Sequence, residues 1–212
     1  IARHLNEFCN DISVLSFLGE DKEYETYIKE NIEENINLNF LTKSNSPTIV
    51  KRRFVDNIDR KKILGVYSIN DNLLNSHEEQ QFLESLDGIS KDYDLIIVSD
   101  YGHGIITPKV ADFISNLDNF VSLNTQVNAA NIGTHNIKKY HNINSLVINA
   151  TELCHEMRQR DGDLEKMAFD LKKITQTEYI TVTRGKDGAF IINNENFLIK
   201  CPAIASKVVD KV

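Results

Sequence analysis

The sequence predicts an α/β fold in which a mostly parallel sheet is flanked by helices and a small β lid stands apart from it. Three observations point there. Short apolar runs bounded by turn residues alternate with stretches of helical period along most of the 212 residues, the pattern of βαβ units. One run, Leu95-Ile96-Ile97-Val98, is apolar without interruption, as in a strand covered on both faces, and is expected to be central. One stretch, 48–69, breaks the alternation with two strand-like runs and no helix between them.

In chain order, Ile12–Leu18 and Ile36–Phe40 read as the first strands. Thr48–Asp56 and Lys61–Ile69 follow, joined by the polar turn Asn57-Ile58-Asp59-Arg60, and read as an antiparallel hairpin that forms a lid or a dimerising clasp. After Leu95–Val98, Thr107-Pro108 reads as an N-cap and first-turn proline, opening a helix with Val110, Phe113, Ile114 and Leu117 on one face. Strands Phe120–Leu123 and Leu146–Ile148 come next. A second helix, entered at Asp161 or Asp163, carries Leu164, Met167, Ala168, Leu171 and Ile174 as its apolar stripe, and Met157 and Met167 read as core. Strand Tyr179–Thr183 precedes a β-rich end, Ala189–Ile192 and Phe197–Ile199. The expected division is 1–45 for the first part of the α/β core, 46–72 for the lid and 73–212 for the rest of a single core.

Composition narrows the partners. Hydrophobic residues are 41% and charged residues 26%, so the chain is expected to fold. A net charge of −7 disfavours nucleic acid and anionic membrane, which call for a basic face. Cys9, Cys154 and Cys201 are odd in number, far apart and without a CxxC pair, which suits a reducing cytoplasm. No run approaches the roughly 18 apolar residues of a membrane span.

Four segments carry residues suited to chemistry. Asn149 and Glu152, where a buried strand gives way to a helix, set an amide and a carboxylate at the strand end that lines the ligand crevice of a parallel sheet. Glu152 there can hold Mg²⁺ through water and Asn149 can orient a phosphate; alternatively Thr151 caps the helix and Glu152 complements its dipole. Thr183-Arg184-Gly185-Lys186-Asp187-Gly188 leaves another strand through a turn whose two glycines, Gly185 and Gly188, admit a ligand close to the backbone, or which is a plain hairpin. The GxxG of the KH RNA-binding module sits between helices in a basic domain, which this context excludes. Asp100, at the head of Tyr101-Gly102-His103-Gly104, either bonds a sugar hydroxyl or orders its own loop. Lys51, Arg52 and Arg53 crowd one strand of the hairpin, where Arg52 or its neighbours reach an anionic group or simply protect a solvated edge. The six histidines form no metal-ligand pair, and His155-Glu156 lacks the second histidine of a zinc-protease helix.

Taken together these segments resemble the ribokinase-like (PfkB) carbohydrate kinases, and within them the kinase domain of heptose-phosphate kinase and nucleotidyltransferase proteins. Ile1–Leu5 is similar to the helix after the family's N-terminal glycine pair, which is itself absent, and Ser16–Asp21 to its next strand end. Residues 48–69 take the place of its lid strands, and Val98-Ser99-Asp100-Tyr101 that of the loop after its central strand. Asn149-Ala150-Thr151-Glu152 is similar to its NxxE motif and Thr181–Gly188 to its nucleotide-side turn. Val208-Val209-Asp210-Lys211-Val212 resembles the opening of its D-x-x-G-A-G-D signature.

The resemblance implies an ATP- and Mg²⁺-dependent kinase for a sugar or sugar-phosphate hydroxyl. Cofactor contacts fall at Asn149, Glu152, Thr183, Gly185 and Gly188, with Glu152 toward the metal, and substrate contacts at Asp100, Arg52 and Asn124. It places the catalytic base and anion hole just beyond Val212, so residues 1–212 alone are expected to hold no catalytic base, to turn over no sugar and to be poorly soluble. Leu123-Asn124-Thr125-Gln126, with Asn128 and Asn131, stands where the heptose kinases carry Asp-Pro-Lys, so heptose phosphate is not assumed. A homodimer through the lid and a fused nucleotidyltransferase-like domain are further implications. The rival readings are a catalytically silent sugar- or nucleotide-binding module of a larger protein and a generic flavodoxin-like binding domain.

Overall fold

The structure, a computed structural model, describes residues 1–58, 61–126 and 137–204. The chain forms two compact units, Ile1–Asp92 with His103–Ile105, and Tyr93–Gly102 with Ile106–Val212.

In the first unit, α1 (Ala2–Leu5), β1 (Ile12–Gly19), α2 (Glu25–Glu30) and β2 (Ile36–Lys43) lead to a hairpin, β3 (Val50–Val55) and β4 (Lys62–Ser68), and then to α3 (Ser76–Ser90). Strands β1 and β2 are parallel, running in register from Ile12 opposite Ile36 to Gly19 opposite Lys43. Helix α3 packs on both strands, with Phe82 stacked on Phe17 at a centroid distance of 5.6 Å and Leu83 and Leu86 buried beside it. Asn75 and Glu78 start α3 as a capping box, each side chain accepting the other's backbone N–H.

Strands β3 and β4 form a two-stranded antiparallel sheet of their own, as expected for the lid. Nearly all its side chains are exposed, including Phe54, Ile63, Leu64 and Tyr67. Asp59 and Arg60 of the expected turn lie outside the described residues.

The second unit continues through β5 (Leu95–Asp100), α4 (Pro108–Ser115), β6 (Phe120–Thr125), β7 (Ser145–Asn149), α5 (Ala150–Glu156), α6 (Leu164–Thr175), β8 (Tyr179–Thr183), β9 (Ala189–Ile192) and β10 (Leu198–Cys201). Its six strands are ordered β10-β9-β8-β7-β6-β5, with β5 to β8 mutually parallel and β9 and β10 antiparallel. This is the mostly parallel, helix-flanked sheet of the expectation. Leu123, Leu146, Ile148, Ile180, Val182 and Phe190 are almost wholly buried, as are Val110 and Ile114 of α4 and Met167 and Leu171 of α6.

Three local expectations change. Strand β5 is terminal in this sheet rather than central, and Leu95 and Ile97 are exposed, so the unbroken apolar run buries one face only. Ile174 is exposed at 51%, because α6 turns Thr175 rather than Ile174 inward, its hydroxyl bonding Leu171 O and Thr177. Asp163, not Asp161, caps α6, accepting from the N–H groups of Glu165 and Lys166. Thr107 and Pro108 start α4 as expected. No helix among the described residues is long and apolar enough to cross a membrane.

Candidate functional site

Four parallel strands in succession bring their carboxyl ends to one edge of the second unit's sheet. Asp100, Thr125, Asn149 and Thr183 are the last residues of β5, β6, β7 and β8, with Asp100 opposite Thr125 and Asn149 opposite Thr183. That edge is where open α/β sheets bind ligands, since helix starts and loops diverge there.

At β7 the switch from strand to helix is made by Asn149. Its Oδ1 accepts the Glu152 N–H at 2.9 Å, and Glu152 Oε2 accepts the Asn149 N–H at 3.0 Å, closing a capping box. The cap is therefore Asn149 and not Thr151, which lies exposed in the first turn. Extended backbone at Asn149 continues the strand to its last residue, and its short amide then reaches the third helical residue, which Thr151 inside the helix cannot do. Glu152 is 6% exposed, and one of its carboxylate oxygens is committed to this box.

At β8 the chain turns through a short 3-10 segment, Gly185–Asp187, into β9, so the hairpin reading of this turn is correct. The Arg184 N–H donates to Gly188 O at 2.7 Å, Arg184 Nη2 to Asp187 O at 2.8 Å, and the guanidinium lies 5.6 Å from the Phe190 ring centre. The two glycines differ in kind. A Cβ on Gly188 would meet Cys201 O at 2.1 Å, so that glycine serves the approach of β10, whereas nothing lies within 4 Å of one on Gly185. Gly185 and Thr183 are exposed in this turn, with open space around Gly185.

Asp100 is bonded within its own loop and to the segment that packs on it. At 3% exposure, its Oδ1 accepts the Gly102 N–H at 2.9 Å, while Oδ2 accepts from Tyr140 Oη at 2.7 Å and lies 2.6 Å from Lys139 Nζ. Lys139 Nζ also donates to Ile106 O at 2.8 Å, so both ends of the glycine-rich loop are tied to the segment Ile137–Tyr140. Burial, with the Asp100 charge beside it, pushes the Tyr140 phenol far above its ordinary value and keeps it a donor. Asn124 donates its amide to Val147 O at 3.0 Å across the sheet. Asn128, Asn131 and Asp210 lie outside the described residues.

In the first unit the structure brings together groups the sequence did not single out. Lys43, 5% exposed at the end of β2, donates to Asn70 O at 2.8 Å and Asn72 O at 2.6 Å. Glu78 Oε1 accepts from the N–H and hydroxyl of Ser44, and Asn70 donates to Asn45 O. The outgoing and returning roots of the lid are thus tied through Lys43 and its neighbours. Burial lowers the Lys43 ammonium below its usual range, opposed by the charges of Glu78 and Asp71. Burial raises the Glu78 carboxyl, but its bonds from Ser44 and Asn75 outweigh that and hold it below the usual range. His103 Nδ1 sits 2.8 Å from Asp71 Oδ1. A small cleft here is lined by Phe17, Gly19, Lys43, Ile49, His103 and Ile105. Arg52 contacts Tyr24 Oη at 3.3 Å, on the lid face opposite Lys51 and Arg53.

Among the described residues no group of three or more His, Cys, Asp or Glu side chains could hold a metal. A single carboxylate such as Glu152 fits Mg²⁺ carried mainly by phosphates and water, and does not fit an ion held by protein alone.

A family model described as the pfkB family of carbohydrate kinases matches residues 1–212. Curated relatives include the bifunctional protein HldE of a Nitratiruptor species, 24% identical over 99% of this chain, and that of Campylobacter jejuni, 26% identical over 94%. The chain spans 44% and 41% of their lengths, less than half in each case. Similar solved structures include phosphofructokinase-2 from Escherichia coli, with TM-score 0.73, 15% identity, and 97% of this chain aligned to 66% of that one. Ribokinase from Thermotoga maritima gives 0.70 at 17% identity, with 99% and 64% covered. At such identities these two show the shared ribokinase-like fold.

Proposed function

We propose, from the premise that this chain belongs to the pfkB carbohydrate kinase family, that the protein transfers the γ-phosphoryl group of ATP to a hydroxyl of a sugar or sugar phosphate. The observation that carries the reading is the register of Asn149 with Thr183 at the carboxyl ends of β7 and β8, followed at once by the open turn at Gly185. In this reading Thr183 and Gly185 contact the nucleotide, Gly188 shapes their turn, and Asn149 orients a phosphate at the start of α5. Glu152 holds Asn149 in place and would hold Mg²⁺ through water, and the ion, when bound, would supply neutralisation of charge on the phosphates. Asp100 acts by holding its loop, Asn124 by fixing the β6 strand end, and Arg52 by lying on the same lid face as Phe54, Leu64 and Val66. That exposed apolar face is also what favours a homodimer through the lid.

A fused nucleotidyltransferase-like domain belongs to the same reading, supported by relatives named as bifunctional. So does a reducing, cytoplasmic setting, supported by three unpaired cysteines. The test is to incubate the full-length protein with ATP, Mg²⁺ and a panel of sugars and sugar phosphates and look for a phosphorylated acceptor. A catalytically silent binder is the second reading, favoured by the fact that Glu152 and Asp100 both have carboxylate oxygens committed to internal structure. It predicts binding of nucleotide or sugar without transfer.

A further inference from the structure

Arg184 has no part in the kinase reading, yet it stands between two residues that do, Thr183 at the end of β8 and Gly185. Its main chain already closes the turn. Its N–H donates to Gly188 O at 2.7 Å, and its carbonyl accepts the Asp187 N–H at 3.2 Å. Its side chain adds a third bond, from Nη2 to Asp187 O at 2.8 Å. That carbonyl belongs to the same planar peptide as the Gly188 N–H, which donates back to Gly185 O at 3.1 Å. Fixing the Asp187 oxygen therefore fixes the bond that holds Gly185 at φ +56°.

Folding stability does not account for this side chain. The guanidinium lies 5.6 Å from the ring centre of Phe190, which is buried. Its Nε is buried too, and has no hydrogen-bond partner among the described residues. A buried donor without a partner costs stability, and an unbranched apolar side chain would cover Phe190 without that cost. The backbone bonds of Arg184 close the hairpin whatever side chain it carries. What the guanidinium adds is a planar donor, oriented by the Phe190 ring and aimed at one carbonyl.

We infer that Arg184 is a positioning residue for the nucleotide: it presets the peptide between Asp187 and Gly188, and through it the open backbone at Gly185, without touching the ligand. A turn ordered before binding spares the cost of ordering it on binding, so the clamp raises affinity. The identity of the ligand rests on the kinase reading above; the clamp rests on the bonds of Arg184 alone.

Arg184→Met in the full-length protein is compared with wild type by hydrogen exchange, thermal melting and calorimetric titration of a non-hydrolysable ATP analogue with Mg²⁺. The expected result is faster exchange confined to 185–188, a melting temperature unchanged or raised, and affinity for the analogue about tenfold weaker. In phosphoryl transfer the loss falls on the KM for ATP rather than on kcat. In a Gly185→Ala background, where the turn is already disturbed, Arg184→Met costs much less affinity than it does alone. Losses that multiply independently would overturn the proposal, because they would put Arg184 in direct contact with the ligand. So would unchanged exchange at 185–188. A lowered melting temperature with exchange quickened throughout β8–β10 would make the role structural and overturn it as well. Wild-type protein that binds no analogue refutes the kinase reading; faster exchange confined to 185–188 in Arg184→Met then upholds the clamp, and unchanged exchange removes both.

Discussion

Asn149 and Thr183 stand opposite one another as the last residues of two adjacent parallel strands, one starting a helix and the other a glycine turn. Asn149 is the hinge of this arrangement, because its amide makes the helix start where the strand stops. Asn149→Ala is expected to cost about 0.5–2 kcal/mol of stability from the lost cap. In the kinase reading it also weakens ATP binding, whereas Asn149→Asp, which caps equally well, restores stability but not nucleotide affinity. Chemical denaturation and nucleotide titration of the two variants separate these effects.

The two glycines after Thr183 are expected to respond differently. Gly188→Ala forces a side chain against Cys201 O at φ +79°, and should destabilise by about 1–3 kcal/mol or unpair β10. Gly185→Ala, at φ +56° with open space around it, should cost no more than about 1–2 kcal/mol. Thermal melts rank the pair, and a larger loss at Gly185 would contradict the assignment of Gly188 to the approach of β10.

Lys43→Met removes the ammonium that ties the lid roots and leaves Asn70 O and Asn72 O without that donor, at an expected cost of about 1–3 kcal/mol. Hydrogen exchange should quicken first at 44–49 and 69–75. Exchange that quickens uniformly through β1 and α3 instead would show that Lys43 supports the whole unit.

Tyr67 gives a spectroscopic handle on the lid. The hydrogen bond from Lys62, with the nearby charges of Lys62, Arg53 and Lys51, favours the phenolate and holds this phenol below its usual value. Its ionisation should therefore begin at lower pH than that of an ordinary tyrosine, and Lys62→Ala should move it upward. Phenolate absorbance of the protein minus that of Tyr67→Phe isolates the group; no upward movement in Lys62→Ala would contradict the contact.

Much of this fold was legible because burial imposes a period. Tyr179–Thr183 was bounded correctly by its apolar alternation and the glycine after it, and the lid by two runs with only a polar turn between them. The cap at α4 was readable from Thr107-Pro108. Hydropathy alone does not say which sheet neighbour a strand has, so the terminal position of β5 was missed. Nor does it mark long-range polar partners: Lys43 with Asn70 and Asn72, or Asp100 with Lys139 and Tyr140, are joined only by the folded backbone. The one sequence signal for the second group was a tyrosine and lysine adjacent in a polar segment, too common to single out. Which of Lys51, Arg52 and Arg53 share a face depends on the strand register, which the sequence does not show.

The most direct test of the kinase reading is phosphoryl transfer by the full-length protein from ATP, with Mg²⁺, to a panel of sugars and sugar phosphates, followed by phosphorus NMR. The account predicts that at least one acceptor gains a phosphate ester and that Glu152→Gln lowers the rate by about 10²-fold or more while leaving the fold intact. Nucleotide and sugar binding with no ester formed from any acceptor, in protein that is folded by hydrogen exchange, would contradict it and establish the silent binder in its place.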